Sequence, residues 1–307
     1  MRIPLGKTGL IVHPLCLGGN VFGWSADATQ SRDVLDAYAS AGGNFIDTAD
    51  MYSEWDDGNI GGESETIIGD WMRTKGNRSE MIIATKVAKL STRPGLSAAN
   101  IKAAAEDSLR RLGSDYIDIY YAHEDDETTP LEETLQAFHE LVVGGKVRHL
   151  GASNYTAPRL AEALRISREL GISEYQVVQP QYNLVVRDEF EGALMELSVR
   201  ENIPCLPYFA LAAGFLTGKY QPGVEVDSVR ADDMPDYMTE RGWALLAALK
   251  QVAEAHNASM AAAALGWLRA QPGVASPIAS ARTPEQLAQI IPIVDLTSEQ
   301  VAALNSI

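Results

Sequence analysis

MIIATKV (81–87), SAANIKAAAEDSLRRLG (97–113) and YIDIYYAH (116–123) decide the fold. The first and last are short and apolar almost without interruption, as strands buried on both faces are. The middle one carries Ala, Ile and Leu at helical spacing and closes on Gly113, where a helix C-cap wants glycine. Strand, helix, strand is the repeating unit of a parallel sheet. Outward from it the alternation continues in both directions. PLCLGG (14–19) and NFIDTA (44–49) precede it; VRHLGAS (147–153), YQVVQPQ (175–181), IPCLPYF (203–209) and VASPIAS (274–280) follow. APRLAEALRISRELG (157–171) is a second helical stretch closing on glycine, Gly171. Thr129-Pro130-Leu131-Glu132 reads as a helix start, with Thr129 at N-cap, Pro130 at N1 and Glu132 at N3. Strand runs at this spacing, eight in all, predict an α/β fold of the closed (β/α)8 TIM-barrel type.

RIPLGKTGLIVHP (2–14) departs from the alternation and predicts a β-hairpin ahead of the first barrel strand. Beyond the last strand, ARTPEQL (281–287) and TSEQVAALNSI (297–307) predict extra C-terminal helices. Two stretches, 51–64 and 210–238, are too long for simple connections, and loops of that length are usually functional. No linker interrupts the pattern, so a single domain over 1–307 is expected.

The composition, 46% hydrophobic and 21% charged in 307 residues, supplies a large core. A formal net charge of -16 argues against a nucleic-acid surface, which needs clustered Lys and Arg. Cys16 and Cys205 sit in apolar runs and read as buried free thiols of a reducing compartment. The first residues lack a signal-peptide pattern, and no run reaches the roughly 18 apolar residues of a membrane span. The expectation is a cytoplasmic protein without a membrane partner; the oligomeric state stays open.

Active sites of such barrels lie at the C-terminal ends of the strands. There, polar residues interrupt the apolar runs in succession: Asp47 ends strand two with Tyr52 just beyond, Lys86 is near the end of strand three, and His123 ends strand four. Singly, each has an ordinary structural use: a turn cap, a loop aromatic, a snorkelling lysine, a hydrogen-bonded histidine. Together they describe acid–base chemistry. A tyrosine hydroxyl has a pKa near 10, and an adjacent ammonium is expected to lower it by stabilising the phenolate. Asp47 would keep Lys86 charged, and His123 would orient the substrate oxygen or share the proton relay. Such a set donates a proton to a developing alkoxide while a cofactor delivers hydride. Two other chemistries could draw on the same residues. A Schiff-base aldolase needs an uncharged Lys86, which Asp47 opposes. A metal site from Asp47, His123 and Glu124 lacks the spacing of a helical ligand pair, and neighbours on a strand face opposite ways, so no metal is expected.

On these motifs the chain resembles the aldo-keto reductase superfamily over nearly its whole length, from LGKTGL (5–10) to ARTPEQL (281–287). NFIDTADMYS (44–53) followed by GGESETIIG (61–69), then IIATK (82–86) and YIDIYYAHEDD (116–126), match the family's catalytic motifs. The resemblance implies Asp47, Tyr52, Lys86 and His123 as a catalytic tetrad with Tyr52 the proton donor. It implies a nicotinamide carboxamide held by Ser153, Asn154 and Gln179, and a ring stacked on Tyr208. Gly19, Asn20 and Val21 would approach the cofactor. Phe209, Leu211, Gly214 and Lys219 would close over the pyrophosphate, and Ser280, Arg282, Gln286 and Gln289 would bind the adenosine end.

SARTPEQL (280–287) is readable physically as well: Thr283 at N-cap, Pro284 at N1 and Gln286 at N3 predict a capping box opening a helix. A helix N-terminus beside Arg282 suits a phosphate dianion, and in the family this region clasps the 2′-phosphate. NADPH is therefore the expected cofactor. The chain departs from the family in Tyr208-Phe209-Ala210-Leu211-Ala212-Ala213, where Tyr-Ser-Pro-Leu with a nearby Arg is usual, and in Ile290, where an adenine-binding Asn is common. Trp24 and Trp55, with Val21, Tyr52, His123 and Tyr208, are expected to line an apolar substrate site. The expected reaction is reduction of small-molecule aldehydes or ketones with fairly broad specificity. Some relatives, the potassium-channel β subunits, act mainly as cofactor-binding partner proteins, and that regulatory role is the competing reading.

Overall fold

The computed structural model describes residues 2–221, Val226 and 234–307. Two short strands, β1 (Ile3–Pro4) and β2 (Ile11–Val12), pair antiparallel as the expected hairpin. The alternation then follows: β3 (Cys16–Gly18), α1 (Ala28–Ser40), β4 (Phe45–Asp47), α2 (Glu63–Lys75), β5 (Ile82–Val87) and α3 (Ala98–Leu112). It continues through β6 (Ile117–Ala122), α4 (Leu131–Val143), β7 (Val147–Ser153), α5 (Ala157–Leu170), β8 (Tyr175–Gln179) and α6 (Ala193–Glu201). After α7 (Glu240–Ala255) and α8 (Met260–Arg269) come β9 (Ile278–Ala279), α9 (Pro284–Ile290) and α10 (Ser298–Asn305). The long stretch 210–238 lies partly outside the described residues.

The seven strands β3 to β9 form one parallel sheet in the order β8-β7-β6-β5-β4-β3-β9. Between its edges passes the run expected as strand seven. It makes isolated parallel bridges rather than a ladder: Cys205 with Val178 on one side and with Val274 on the other, and Tyr208 with Gln181. Pro204 and Pro207 carry no N–H, so one ladder bond is lost on each side of this run. The Leu206 and Cys205 amides still donate to Val178 and Gly273, both at 2.8 Å, and tie the edges together. The cylinder is thus an α/β (β/α)8 barrel with one irregular stave.

Two apolar layers hold it. Inside, Cys16, Phe45, Ala84, Ile119, Tyr121, Val177, Leu206 and Ile278 fill the cylinder, and Leu5 and Val12 of the hairpin plug one end. Outside, the larger cluster joins strands to helices, as β5 and β6, buried at every position, require. Helices α3 and α5 stop at Gly113 and Gly171, both left-handed as expected. The start of α4 differs from its reading. Pro130 is the N-cap, without a side-chain cap bond, and the Thr129 hydroxyl donates instead to Asp126 Oδ2 at 2.7 Å. No described helix is long and apolar enough to cross a membrane. Both cysteines are buried free thiols.

Candidate active site

Parallel register sets the site. β4, β5 and β6 lie side by side, so Asp47, Lys86 and His123 emerge at one end of the cylinder. Lys86 is fully buried and donates to Asp47 Oδ2 at 2.6 Å, Thr48 O at 2.8 Å and Tyr52 Oη at 2.8 Å. An ammonium has three donors and no acceptor. All three are used. Tyr52 Oη donates to Asp47 Oδ2 at 3.2 Å, and Gln179 Nε2 holds the other Asp47 oxygen at 2.9 Å.

Tyr52 belongs to the long loop after β4, and the loop's fixity follows from its anchors. Ser53, with φ +73°, donates its hydroxyl to Phe22 O at 2.7 Å, and Asn59 Nδ2 donates to Gly23 O and Ser53 O, each at 2.9 Å. At the far end Ser64 Oγ donates to Gly19 O at 2.8 Å. Glu65, fully buried, accepts from Thr85 Oγ1 at 2.5 Å and Arg111 Nε at 2.6 Å. Gly62 must be glycine here: its φ is +87°, and a Cβ would fall 2.4 Å from Arg111 Nε.

Burial, and then the negative charge of Asp47, push the Tyr52 phenol well above its ordinary value. This reverses the expected lowering. Lys86 does reach the phenol, but the same hydroxyl donates to a carboxylate in a water-poor site, and both effects favour the protonated form. Burial also pulls Lys86 below an ordinary lysine, with Asp47 opposing that pull. His123 is held well below its ordinary value by burial and by the Lys86 and Lys89 ammoniums, so its imidazole is neutral at pH 7. Its ring meets Tyr52 edge-on at 6.0 Å between centroids.

A cavity of about 770 Å3 opens over this group. Asp47, Tyr52 and His123 line it, together with Asn20, Val21, Asn154, Gln179, Tyr208, Phe209, Leu211, Gly214 and Lys219, and with Ser280, Arg282, Gln286 and Gln289 after β9. Four expected residues stand back from it. Lys86 lies beneath Tyr52. Gly19 donates its amide to Asp47 O at 2.8 Å. Trp24 packs edge-to-face on Trp55, which does line the cavity. Ser153 is fully buried and spends its hydroxyl on Gln179 O at 2.8 Å, bracing that residue. Asn154 accepts from Tyr208 Oη at 2.8 Å and donates to His123 O at 2.8 Å, joining three strand ends.

Beyond β9 Thr283 caps α9, but the Gln286 side chain accepts from the Arg282 amide at 2.9 Å instead of the N-cap amide. Only half of the capping box forms. Ile290 lines the cavity as an apolar wall. Lining residues the sequence did not point to include Lys89, Ser25, Thr217 and Ala261. Ala261 comes from α8, and nothing in its local pattern separates it from a core alanine.

Asp50, inside the NFIDTADMYS motif, was also not anticipated. It is 1% exposed, and neither carboxylate oxygen has a hydrogen-bond partner among the described residues. Burial first, and Glu65 second, push it up to about 7.

Comparison with known proteins places these residues in a family. The Aldo/keto reductase family model matches residues 14–307. The chain is 31% identical over 318 residues to a "Probable voltage-gated potassium channel subunit beta" of Oryza sativa subsp. japonica, covering 99% of this chain and 95% of that one. It is 33% identical to "Protein tas" of Escherichia coli (strain K12), over 93% of this chain and 90% of the relative. It is 31% identical to an "Aryl-alcohol dehydrogenase [NADP(+)]" of Phanerodontia chrysosporium, over 97% and 83%. Oxidoreductases thus stand among its relatives. The chain belongs to the Aldo/keto reductase family.

Proposed function

We propose that this chain is an NADPH-dependent oxidoreductase that reduces aldehydes or ketones to alcohols, with Tyr52 as the general acid. The observation that carries the reading is Tyr52 Oη, bonded to Lys86 at 2.8 Å and facing a cavity that runs to Arg282. At about 770 Å3 the cavity falls in the range of cofactor sites. The residues present suit the group: the Gln179 and Asn154 amides for a carboxamide, the Tyr208 ring for a flat heterocycle, and Lys219 and Arg282 for phosphates. The cofactor supplies hydride to the carbonyl carbon. Tyr52 supplies the proton to the oxygen, and its raised pKa keeps that proton on the phenol until an alkoxide develops. The phenolate left behind meets the Lys86 ammonium, so charge is stabilised where it appears. Asp47 holds Lys86, Gln179 holds Asp47, and neutral His123 offers a hydrogen bond to the carbonyl oxygen without adding charge. With all three Lys86 protons donated, Schiff-base chemistry is disfavoured.

The test is NADPH oxidation with 4-nitrobenzaldehyde. Tyr52→Phe is expected to cut turnover by about 100- to 10,000-fold, the usual contribution of a positioned acid, while NADPH binding by fluorescence persists. Retained turnover would reassign the acid. Arg282→Ala is expected to weaken NADPH more than NADH; equal losses would remove the 2′-phosphate contact. The names of several relatives favour a second reading, a channel-subunit-like regulatory protein. Negligible turnover of every carbonyl tested, with a stable co-purifying partner, would select it.

A further inference from the structure

We propose that Lys89 is an anion receptor at the substrate end of the cavity, so that preferred substrates are aldehydes or ketones bearing a carboxylate. This rests on the reductase reading above. Lys89 lines the same cavity as Tyr52, His123 and Trp55. It is three residues past Lys86, which is buried, and the chain turns between them at Ala88, with φ +121°. Residues with a Cβ rarely adopt that value. Ala88 is itself buried, and its carbonyl accepts from the Gly95 amide at 2.8 Å, so the turn is held from both sides. Backbone strain of this kind persists where surrounding structure over-determines it, and it collects at ligand sites.

The cation has a weak partner. Lys89 Nζ lies 3.2 Å from Glu124 Oε2, with the two side chains 37% and 45% exposed. Exposed pairs of this kind contribute little and exchange readily with water and ions. Three acids on neighbouring segments are occupied. Asp125 accepts from Arg159 Nε through both oxygens, and Asp126 accepts from the Leu96 amide and both threonine hydroxyls of 128 and 129. Glu54 accepts from the Ser91 amide. A substrate carboxylate therefore competes with Glu124 alone among these acids.

Sheet order separates this cation from those of the cofactor end. β5 and β6 are two and three strands from β3, whereas Arg282 follows β9 on the other side of β3. A carbonyl held at Tyr52 and His123 can thus send an anionic tail toward Lys89 without meeting the phosphate-binding cations. His123, already neutral, leaves Lys89 as the charge that the tail meets.

The test uses the full chain with NADPH and two aryl aldehydes, 4-carboxybenzaldehyde and its neutral methyl ester, methyl 4-formylbenzoate. The readout is the ratio of their kcat/KM values. Lys89→Gln is expected to lower the acid-to-ester ratio about tenfold, chiefly through KM, because a charge-assisted bond is lost. Glu124→Gln is expected to raise it several-fold by freeing Lys89. Ratios that stay constant in both variants, or that move the same way, overturn the proposal. A chain that turns over neither aldehyde refutes the reductase reading instead. In that case equilibrium binding of 4-carboxybenzaldehyde decides: tenfold weaker binding to Lys89→Gln supports the receptor, and equal binding removes it.

Discussion

Asp50 and Lys86 are both buried ionisable groups of the same neighbourhood, and their surroundings treat them oppositely. Lys86 donates all its protons and faces a carboxylate; Asp50 has no partner at either oxygen among the described residues and faces Glu65. Asp50 therefore couples stability to pH. Its folded-state pKa is raised from 3.8 to about 7, so its stability contribution is complete below about pH 4 and is lost as pH rises through 7. Asp50→Asn removes that dependence while leaving a buried amide to be accommodated. The stability difference between variant and parent is expected to move in the variant's favour by up to about 4 kcal/mol between pH 4 and pH 8. Urea midpoints across that range measure it, and a difference independent of pH would mean Asp50 ionises normally. Asp50 was invisible as a special residue in the sequence because nothing local says whether an aspartate finds a partner.

At the scale of elements, the loop between β4 and α2 shows how a mobile-looking stretch is made rigid. Gly62 lets the chain turn left-handed against Arg111, and Arg111 in turn neutralises Glu65 at the head of α2. Gly62→Ala adds backbone strain and displaces the guanidinium from a fully buried carboxylate. Together these are expected to cost about 3 kcal/mol or more, read as a lowered urea midpoint, with Tyr52 losing its fixed position and turnover falling in parallel. Unchanged stability would show that Arg111 has room to move. The GGESE stretch was legible as part of a motif, but its mechanical role needed α3, which supplies Arg111 from 46 residues along the chain. The half-formed box at α9 makes a related point. Thr283 and Gln286 cap as their spacing demands, yet the Gln286 oxygen accepts from Arg282, because the incoming chain brings that amide closer.

The whole molecule is a cylinder whose hairpin end is plugged by apolar side chains and whose mouth holds the candidate site, under a net charge of -16. Like charges on the folded surface repel, and salt screens them over a Debye length of about 10 Å at 0.1 M. Raising sodium chloride from about 20 mM to about 200 mM is expected to lift the thermal midpoint by roughly 1–2 °C, equivalent to about 1 kcal/mol. A fall would show that the surface ion pairs outweigh the repulsion.

Sequence alone determined the strand–helix alternation, the hairpin and the placing of Asp47, Lys86 and His123 on successive strand ends, because each is written in local periodicity and spacing. Tertiary structure decided the rest. It left the seventh stave as bridges, drew Ser153 away from the cavity, raised Tyr52 instead of lowering it, and brought Lys89 to the rim. The reason is that burial and partnership arise between residues far apart in the chain: the amide that fixes Asp47 belongs to Gln179, 132 positions away.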